Sequence, residues 1–311
     1  MTQSVVIVTM NRVEEVLSLL RALGAQTRQA DEILIVDASS DGLRVSEDRI
    51  RHVTKAVSRR FHVAPGLAAQ RNKGLSEARG DIVTFFDDDA IPEADYCHHV
   101  DAAFEREQDL VGLSGINVVP EGATGLEYLF RRGFMLQSGR GPYRYRCSGF
   151  PDPGADGPSQ TGGISFLPST ALSVRRSACE GLSFDEYWCS GKPLGIDTGR
   201  CFGEDIWFTT LLAKRGRLKL LPAAKFMHHP SARNREATAV TQALYVYSLR
   251  CISNRVAAGK IRRLCRLWAL CGQGLLNLFQ ALGYRDVGYL QGYFLAMRAS
   301  LERREPSAAH D

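Results

Sequence analysis

The sequence contains no Cys-X-X-Cys pair, although it has eight cysteines. Their spacing matches no zinc-ligand pattern, and they fall in apolar runs as often as in loops, which predicts reduced, cytosolic thiols. A P-loop and a Gly-X-Gly-X-X-Gly fingerprint are also missing, which weakens the interpretations as an ATPase or a dehydrogenase. The N-terminus enters the run VVIVT without a secretory signal pattern, so we expect a cytoplasmic protein.

Long hydrophobic runs and a strong overall charge are lacking as well. The longest apolar run, LWALCGQGLLNLFQALGY, is interrupted by glycines and polar residues and is a poor candidate for a membrane span. The net charge of +5 is only mildly basic, so the total does not indicate nucleic acid binding. Acidic residues are absent between Arg250 and Arg285, however, and this tract contains several arginines and a lysine.

Short β-rich runs alternate with helical periods in the first third of the chain. SVVIVT, EILIVD and DIVTFF are predicted strands, and VEEVLSLLRAL and GLAAQRNKGLSEA are predicted helices. This alternation predicts an α/β fold with a doubly wound, mostly parallel sheet. Ligands of such sheets bind at the carboxyl ends of the strands, which is where Thr9, Arg12 and Asp37 lie.

Three consecutive aspartates, Asp87 to Asp89, follow the predicted strand DIVTFF. Their mutual repulsion must be offset by solvent, by basic neighbours or by a bound cation. Mg²⁺ and Mn²⁺ prefer oxygen ligands, and Mg²⁺ is usually held by one or two carboxylates together with substrate phosphates. The alternative is a solvated turn that ends the strand, because aspartate is common in turns.

The remaining sequence predicts an insertion, a second acidic site and a helical end. Residues 122–163 are rich in Gly, Pro, Arg and Tyr and predict a flexible insertion loop, whose segment from Gly133 to Gly163 either covers the site or has no role. GEDIWFTTLLAKRG predicts a helix that begins with two acids. After Glu236 the pattern is helical, so the predicted domains are residues 1–235 and a basic, amphipathic helical region at 236–311.

Six motifs in order carry a family resemblance: VVIVTMNR, ILIVDASSDG, AAQRNKGL, DIVTFFDDDAIP, GEDIWFTTLLAKRG and PAAKFMHH. From about Ser4 to Pro230 the chain resembles the family 2 glycosyltransferases, which have the GT-A fold. The resemblance implies a nucleotide-sugar donor, a divalent metal (Mg²⁺ or Mn²⁺) and inversion at the anomeric carbon. It does not identify the sugar.

The resemblance assigns the nucleotide site to residues near the strand ends. Asp37 matches the acid that contacts the nucleobase, and Thr9 and Arg12 lie in the loop that borders the nucleotide. Arg71 matches the basic residue of the family's Ala-Arg-Asn motif near the nucleotide, although Gln70 replaces the alanine here. The alternative for Arg71 is an ordinary position on a helix surface.

The metal site is assigned in the same way. Asp87 and Asp89 match the outer members of the family's Asp-X-Asp motif, with Asp89 the more direct metal ligand and Asp87 nearer the ribose or a metal-bound water. Asp88 fills the variable middle position and is counted with the nucleotide site. His228 matches the histidine that closes the metal and diphosphate site, and His229 is the close alternative. Both histidines would otherwise be ordinary loop residues.

Asp205, in the sequence Gly-Glu-Asp, matches the family's catalytic base. An acceptor hydroxyl has a very high pKa, so it attacks only if a positioned carboxylate takes its proton as the bond forms. The alternative is that Glu204 and Asp205 only favour the N-terminus of a helix through its macrodipole. Tyr187 and Trp188 are candidates for lining an acceptor pocket or for core packing.

The expected function is therefore an inverting, metal-dependent transfer of one sugar from a nucleotide-sugar donor to a hydroxyl acceptor, in the assembly of cell-surface glycans or glycolipids. The Gln-X-X-Arg-Trp motif of the family's processive polysaccharide synthases is absent, which favours single transfer. A sugar nucleotidyltransferase is the alternative enzyme. A catalytically inactive scaffold at a membrane surface is the non-enzymatic alternative.

The C-terminal segment, roughly Leu249 to Leu301, interleaves cations with apolar side chains over helix-like stretches. This pattern predicts peripheral attachment to an anionic membrane surface at the inner face of the cell membrane, where a lipid-linked acceptor would be found. The alternative acceptor is a glycan that is not attached to a membrane lipid. The alternative for the segment is that its helices pack on the catalytic domain, since amphipathic helices usually bury their apolar stripe in their own protein.

Overall fold

The computed structural model of the chain describes residues 1–54, 58–118, 125–137, 143–152, 163–196, 199–229 and 237–301. The strands are β1 Gln3–Thr9, β2 Glu32–Asp37, β3 Ser58–His62, β4 Ile82–Asp87, β5 Ala90–Pro92, β6 Leu110–Asn117, β7 Arg144–Tyr145, β8 Pro151–Asp152, β9 Ala171–Arg175 and β10 Arg217–His228. The α-helices are α1 Val13–Gly24, α2 Glu47–Arg51, α3 Leu67–Glu77, α4 Tyr96–Arg106, α5 Gly125–Gly133, α6 Glu204–Leu212, α7 Thr238–Val256, α8 Lys260–Tyr284 and α9 Gly288–Leu301.

The main sheet has eight strands in the order β3-β2-β1-β4-β9-β6-β10-β5. β1 pairs in parallel with β2 and β4, β2 pairs in parallel with β3, and β6 pairs in parallel with β10. β9 is antiparallel to β4 and β6, and β5 is antiparallel to β10. The predicted α/β fold with a mostly parallel sheet and helical C-terminal segments is therefore confirmed.

Apolar strands form the centre of this sheet. Every residue of β1 and of β2 is buried, as expected for strands of a parallel sheet that are covered on both faces. α1 packs against the sheet through Val16, Leu20 and Leu23, which recur at helical spacing and belong to the same core cluster as Val5 and Ile7. This packing fixes the strand ends, and with them the polar side chains that follow the strands.

The chain divides into two compact units. The first contains the described residues within 1–120, 156–184 and 208–234, and it includes all strands of the main sheet. The second contains the described residues within 121–155, 185–207 and 235–311. Its core joins α7 and α8 to Leu136 and Phe150, with Phe130 and Phe134 packed against them. The predicted boundary between residues 235 and 236 stays a prediction.

The predicted insertion at 122–163 contains regular structure where it is described, namely α5, β7 and β8. Residues 138–142 and 153–162, which make up much of the predicted lid segment, lie outside the described residues. The lid itself stays a prediction. Among the described helices, none is both long enough and apolar enough to cross a membrane.

Candidate active site

Polar side chains gather in the first unit where β1, β2 and β4 end. Thr9 is the last residue of β1 and pairs in register with Asp37, the last residue of β2. Asp87 ends β4, on the other side of β1, and is paired with Val8. Because parallel strands end at the same edge of a sheet, this register brings together residues that are far apart in sequence.

The aspartate triplet is held by basic and hydroxyl partners rather than by solvent alone. Asp88 is only 4% exposed. One of its oxygens accepts a hydrogen bond from the Thr9 hydroxyl at 2.7 Å, and the other accepts one from Arg12 at 2.8 Å. Arg12 also donates to Asp89 at 3.1 Å. Burial raises the pKa of Asp88 to about 7, against the opposing effects of Arg12 and Thr9.

Arg71 neutralises the first aspartate of the triplet from α3. Its side chain is 2% exposed, and its guanidinium donates to Asp87 at 2.8 Å. The guanidinium also lies 5.8 Å from the ring centroid of Phe184. Arg71 is therefore buried in the site rather than placed on a helix surface.

Gln70, the departure from the family motif, has a position that the sequence did not predict. It is 4% exposed, and its side-chain amide donates to the backbone carbonyls of Thr9 and Val36, each at 2.9 Å. An alanine could make neither bond. Gln70 thus links α3 to the ends of β1 and β2, next to the candidate nucleotide site.

Asp89, the last aspartate of the triplet, lies beside His228. His228 Nε2 is 3.3 Å from Asp89 Oδ1, because His228 ends β10 and is paired with Ala90 of β5. The backbone N–H of His229 donates to the backbone carbonyl of Asp89, and the His229 side chain is exposed. Of the two histidines, His228 is the one whose ring faces the aspartates.

Asp89 and His228 suit a metal that is completed by its substrate. Among the described residues, no group of three or more Asp, Glu, His or Cys side chains is arranged to hold a metal ion. Asp87 is engaged by Arg71 at 2.8 Å. One carboxylate and one imidazole would leave most coordination positions to phosphate oxygens and water, which is the usual arrangement for Mg²⁺ in phosphate-binding sites.

A cavity of about 530 Å³ opens in the first unit beyond the ends of β1, β2 and β3. Its walls come from three loops, at residues 10–11, 38–44 and 62–65. Asn11 has a left-handed backbone with φ 58°, and its side-chain oxygen accepts a hydrogen bond from the N–H of Ser40 at 3.1 Å. This contact ties the loop after β1 to the loop after β2.

Asp37 ends β2, directly before the cavity-lining residue Ala38, and is fully buried. Its Oδ1 accepts a hydrogen bond from the N–H of Ser39 at 2.8 Å, whereas Oδ2 has no hydrogen-bond partner among the described residues. A buried carboxylate oxygen without a partner is costly unless a ligand supplies a donor. Arg44 and His62 line the cavity. The sequence did not predict them, since His62 ends the polar run that forms β3 and Arg44 lies in the loop after β2.

Asp205 lies in the second unit, in the first turn of α6. Its Oδ1 accepts a hydrogen bond from the N–H of Ile206 at 2.7 Å, and its side chain is partly exposed, whereas Glu204 is 4% exposed. In the same unit, the guanidinium of Arg255 lies 5.1 Å from the ring centroid of Trp188 and 5.7 Å from that of Trp207. Trp188 is buried.

Neither tryptophan contact assigns an acceptor, and Tyr187 next to Trp188 is 51% exposed. The roles predicted for Asp205, for the nucleotide-site residues and for the metal ligands stay predictions. The structure does bring the predicted residues of the first unit together at one edge of the sheet, through the contacts of Thr9, Arg12 and Arg71 with the aspartates.

Comparison with known proteins identifies the family of the N-terminal part. Residues 4–149 match the family described as Glycosyl transferase family 2. The "Putative glycosyltransferase EpsH" of Bacillus subtilis is 39% identical over 97 residues, which are 30% of this chain and 27% of that protein. The glucosyl-dolichyl phosphate glucuronosyltransferase of Haloferax volcanii is 29% identical over 124 residues, which are 39% of each chain.

The chain thus spans about a third of the length of these curated relatives. Two solved structures share its fold at low identity. The mannosyltransferase PcManGT of Pyrobaculum calidifontis, in complex with GDP-Man and Mn²⁺, has a TM-score of 0.55 at 16% identity and covers 96% of this chain and 86% of its own. TarS 1-349 of S. aureus, in complex with UDP-GlcNAc, has a TM-score of 0.53 at 13% identity and covers 96% of this chain and 92% of its own. Residues 4–149 are therefore a family 2 glycosyltransferase domain, and the chain has the GT-A fold.

Proposed function

We propose that the protein transfers one sugar from a nucleotide-sugar donor to a hydroxyl acceptor, with inversion and with Mg²⁺ or Mn²⁺ bound. The observation that carries this proposal is the cluster at the ends of β1 and β4, where Arg12 and Arg71 hold three aspartates beside His228. Two cations and an acidic triplet at this edge suit a diphosphate and its metal.

The donor nucleotide would occupy the cavity beyond β1, β2 and β3. Asp37 Oδ2 is buried without a partner among the described residues, so it can accept a hydrogen bond from an N–H of the base. Thr9 and Arg12 would border the nucleotide, and Arg71 would add positive charge near the phosphates. Complexes of the structural relatives with UDP-GlcNAc and with GDP-Man support a nucleotide-sugar donor.

Asp89 and His228 would hold the metal, with Asp87 nearer the ribose or a metal-bound water. The metal would supply positive charge that neutralises the leaving diphosphate. Arg12 would add positive charge for the same purpose, because its guanidinium lies 3.1 Å from Asp89. The Mn²⁺ of the Pyrobaculum calidifontis structure supports this assignment.

Asp205 would act as the base. Its carboxylate takes the proton of the acceptor hydroxyl while the hydroxyl oxygen forms a bond to the anomeric carbon. The bond from that carbon to the diphosphate oxygen breaks, and its electron pair stays on the diphosphate. Attack from the face opposite the leaving group inverts the anomeric carbon.

The acceptor that we propose is a glycan or a lipid-linked sugar, in the assembly of cell-surface glycans or glycolipids. The name of the Haloferax volcanii relative, which includes a dolichyl phosphate, supports a lipid-linked acceptor. We place the reaction in the cytoplasm, at the inner face of the cell membrane. The cysteine spacing, which matches no zinc-ligand pattern, supports a reducing compartment.

Two substitutions test this division of roles. Asp89→Ala should remove Mn²⁺-dependent binding of the donor, whereas Asp205→Asn should leave donor binding nearly intact and abolish transfer. Asp48→Asn, which changes an exposed aspartate of α2, is the matched control and should behave as wild type. The assay measures hydrolysis and transfer with UDP-, GDP- and dTDP-sugars and Mn²⁺.

Retention of most of the transfer rate by Asp205→Asn would contradict the assignment of the base. If the wild-type protein binds and hydrolyses none of the donors, the proposed function is wrong, and the scaffold alternative gains support. If it instead forms a nucleotide-sugar from a sugar phosphate and a nucleoside triphosphate, the nucleotidyltransferase alternative is correct.

A further inference from the structure

α8 has most of its large apolar residues on the outside. The buried residues of this helix are mainly small or polar: Ala269, Gly272, Gln273, Asn277 and Ala281, with Leu270 and Leu276. Helices of globular proteins normally bury their large apolar side chains and expose the polar ones. The arrangement in α8 is largely the reverse of this rule, and packing among the described residues leaves these apolar side chains exposed.

The exposed face of α8 is a continuous apolar stripe. The exposed fraction is 75% for Ile261, 67% for Leu264, 57% for Phe279 and 69% for Leu282. With Leu267, Trp268, Leu275 and Leu278, these residues occupy a face about 120° wide, since each residue turns the helix by about 100°. The stripe runs from Ile261 to Leu282, so it is about 32 Å long at about 1.5 Å per residue.

α5 and Phe134, which follows it, pack against one side of the stripe. Phe134 stacks on Trp268 with ring centroids 4.7 Å apart, and Phe130 packs edge-on against Phe279 at 5.8 Å. Two leucines of α5 then remain exposed, Leu126 at 83% and Leu129 at 61%. We call the exposed apolar residues of α5 and α8, together with Lys260 and Arg263, the α5–α8 surface. Exposed apolar patches of this extent mark interaction sites.

The charge of this surface has one sign at its N-terminal end. Lys260, Arg262 and Arg263 are exposed in the first turn of α8, which contains no acidic residue. Cations at a helix N-terminus oppose the macrodipole and are unfavourable there without an anionic partner. The sequence from Arg250 to Arg285 provides no aspartate or glutamate to act as that partner.

We infer that the α5–α8 surface binds an anionic lipid bilayer, with α8 lying in the interface and its apolar stripe inserted among the acyl chains. The cations at the start of α8 would pair with lipid phosphates. A second copy of the chain fits less well, because the α8 of that copy offers no carboxylate to pair with these cations. The inference deepens the proposed function, on which it rests for the lipid-linked acceptor, by naming the residues that carry the membrane contact.

The structure also narrows the segment that the sequence indicated for membrane attachment. In α7, Leu249 and Ile252 are buried in the second unit and cannot contact lipid. Arg266 is engaged within the unit, where it donates to Asn254 and to the backbone carbonyl of Ala257. Arg262 is turned about 100° from Ile261, away from the apolar stripe. Lys260 and Arg263 are therefore the cations to change in a test.

The test measures sedimentation of the full chain with vesicles of phosphatidylcholine containing 30% phosphatidylglycerol, in reducing buffer at low salt. Wild type should bind, and Lys260→Gln/Arg263→Gln should bind about thirtyfold less, from about a fivefold factor per cation. Leu264→Ser/Leu282→Ser should reduce binding about a hundredfold, from about tenfold per leucine. Pure phosphatidylcholine vesicles should bind wild type about as weakly as anionic vesicles bind the cation variant.

Matched controls change the same residue types elsewhere. Arg49→Gln/Arg51→Gln, on exposed positions of α2, and Leu43→Ser, at a residue 49% exposed, should bind vesicles as wild type does. Circular dichroism checks that each variant is folded. If either control loses as much binding as the corresponding α8 variant, the assignment of the surface is wrong.

Quenching by brominated acyl chains reports insertion. Trp268 is 50% exposed, whereas Trp188 is 2% exposed and Trp207 is half-buried. Vesicles with brominated chains should therefore quench wild type and should quench Trp268→Phe much less. Absence of vesicle binding at low salt overturns the inference. If the chain instead forms a concentration-dependent dimer, and Leu264→Ser/Leu282→Ser dissociates it, the surface binds a second copy. Donor binding measured without vesicles is independent of both results, so failure of the proposed function would be recognised separately.

Discussion

Replacing Arg71 by methionine tests the buried ion pair that supports the aspartate triplet. The Arg71 side chain is 2% exposed and Asp87 is 28% exposed, with 2.8 Å between the guanidinium nitrogen and the carboxylate oxygen. Removing one partner of a fully buried pair costs about 3 to 5 kcal/mol, because the other charge is left without compensation. Asp87 retains some contact with water, so we expect a loss near the lower limit, about 3 kcal/mol.

Hydrogen exchange is the suitable assay because it reports local stability. A loss of about 3 kcal/mol should speed exchange in peptides covering α3 and β4 about a hundredfold, wherever exchange requires opening of this region. Arg79→Met removes the same charge from an exposed position two residues after α3, and it should change exchange by about twofold or less.

A double substitution isolates the interaction. Arg71→Met combined with Asp87→Asn should cost less than the sum of the two single changes, because no unpaired carboxylate remains. If Arg71→Met accelerates exchange no more than Arg79→Met does, the pair does not stabilise the site and the reasoning is wrong.

Two further predictions concern stability. Glu32 is buried, which by itself would raise its pKa, but hydrogen bonds from Ser4 and two further donors lower it below the ordinary 4.5; its stabilising effect is therefore fully present above pH 4.5 and is lost as the pH falls through the folded-state pKa. Urea titrations should show Glu32→Gln less stable than wild type by about 1 to 3 kcal/mol at pH 7 and equally stable in strong acid, and a constant difference across this range would contradict the account. A Cβ on Gly74 would lie 2.3 Å from Cγ1 of Val6, so Gly74→Ala should destabilise by about 1 to 3 kcal/mol. Gly283→Ala in α8, where a Cβ meets nothing within 4 Å, should instead be neutral or slightly stabilising, and equal effects of the two changes would be inconsistent with this packing.

The strongly patterned elements were predictable from the sequence. EILIVD coincides with β2, and VEEVLSLLRAL gives α1 to within one residue, because a continuous apolar run or a helical stripe depends on burial alone. β3 was not predicted, since SRRFH is polar and lies at the edge of the sheet. α5 lies within the region predicted as a loop, because the nearby glycines and prolines obscured its short apolar stripe.

Pairing between strands that are distant in sequence was harder to predict from the sequence. The parallel order of β1, β2 and β4 follows from alternating strands and helices, but nothing in ALSVR specifies that β9 runs antiparallel between β4 and β6. The same limit applies to the candidate site. Aspartates after an apolar strand can be recognised locally, whereas the hydrogen bonds of Gln70 to two strand ends depend on how α3 packs in three dimensions.

Titration calorimetry with nucleoside diphosphates tests the central claim most directly, which is that the strand ends bind a nucleotide through a carboxylate-held metal. UDP, GDP and dTDP are titrated into wild type and Asp89→Ala, each with Mn²⁺ and with EDTA. The account predicts that at least one of the three binds wild type in Mn²⁺ and that either EDTA or the substitution weakens this binding at least tenfold. Binding of none of them, or equal affinity in Mn²⁺ and EDTA for both proteins, would contradict it.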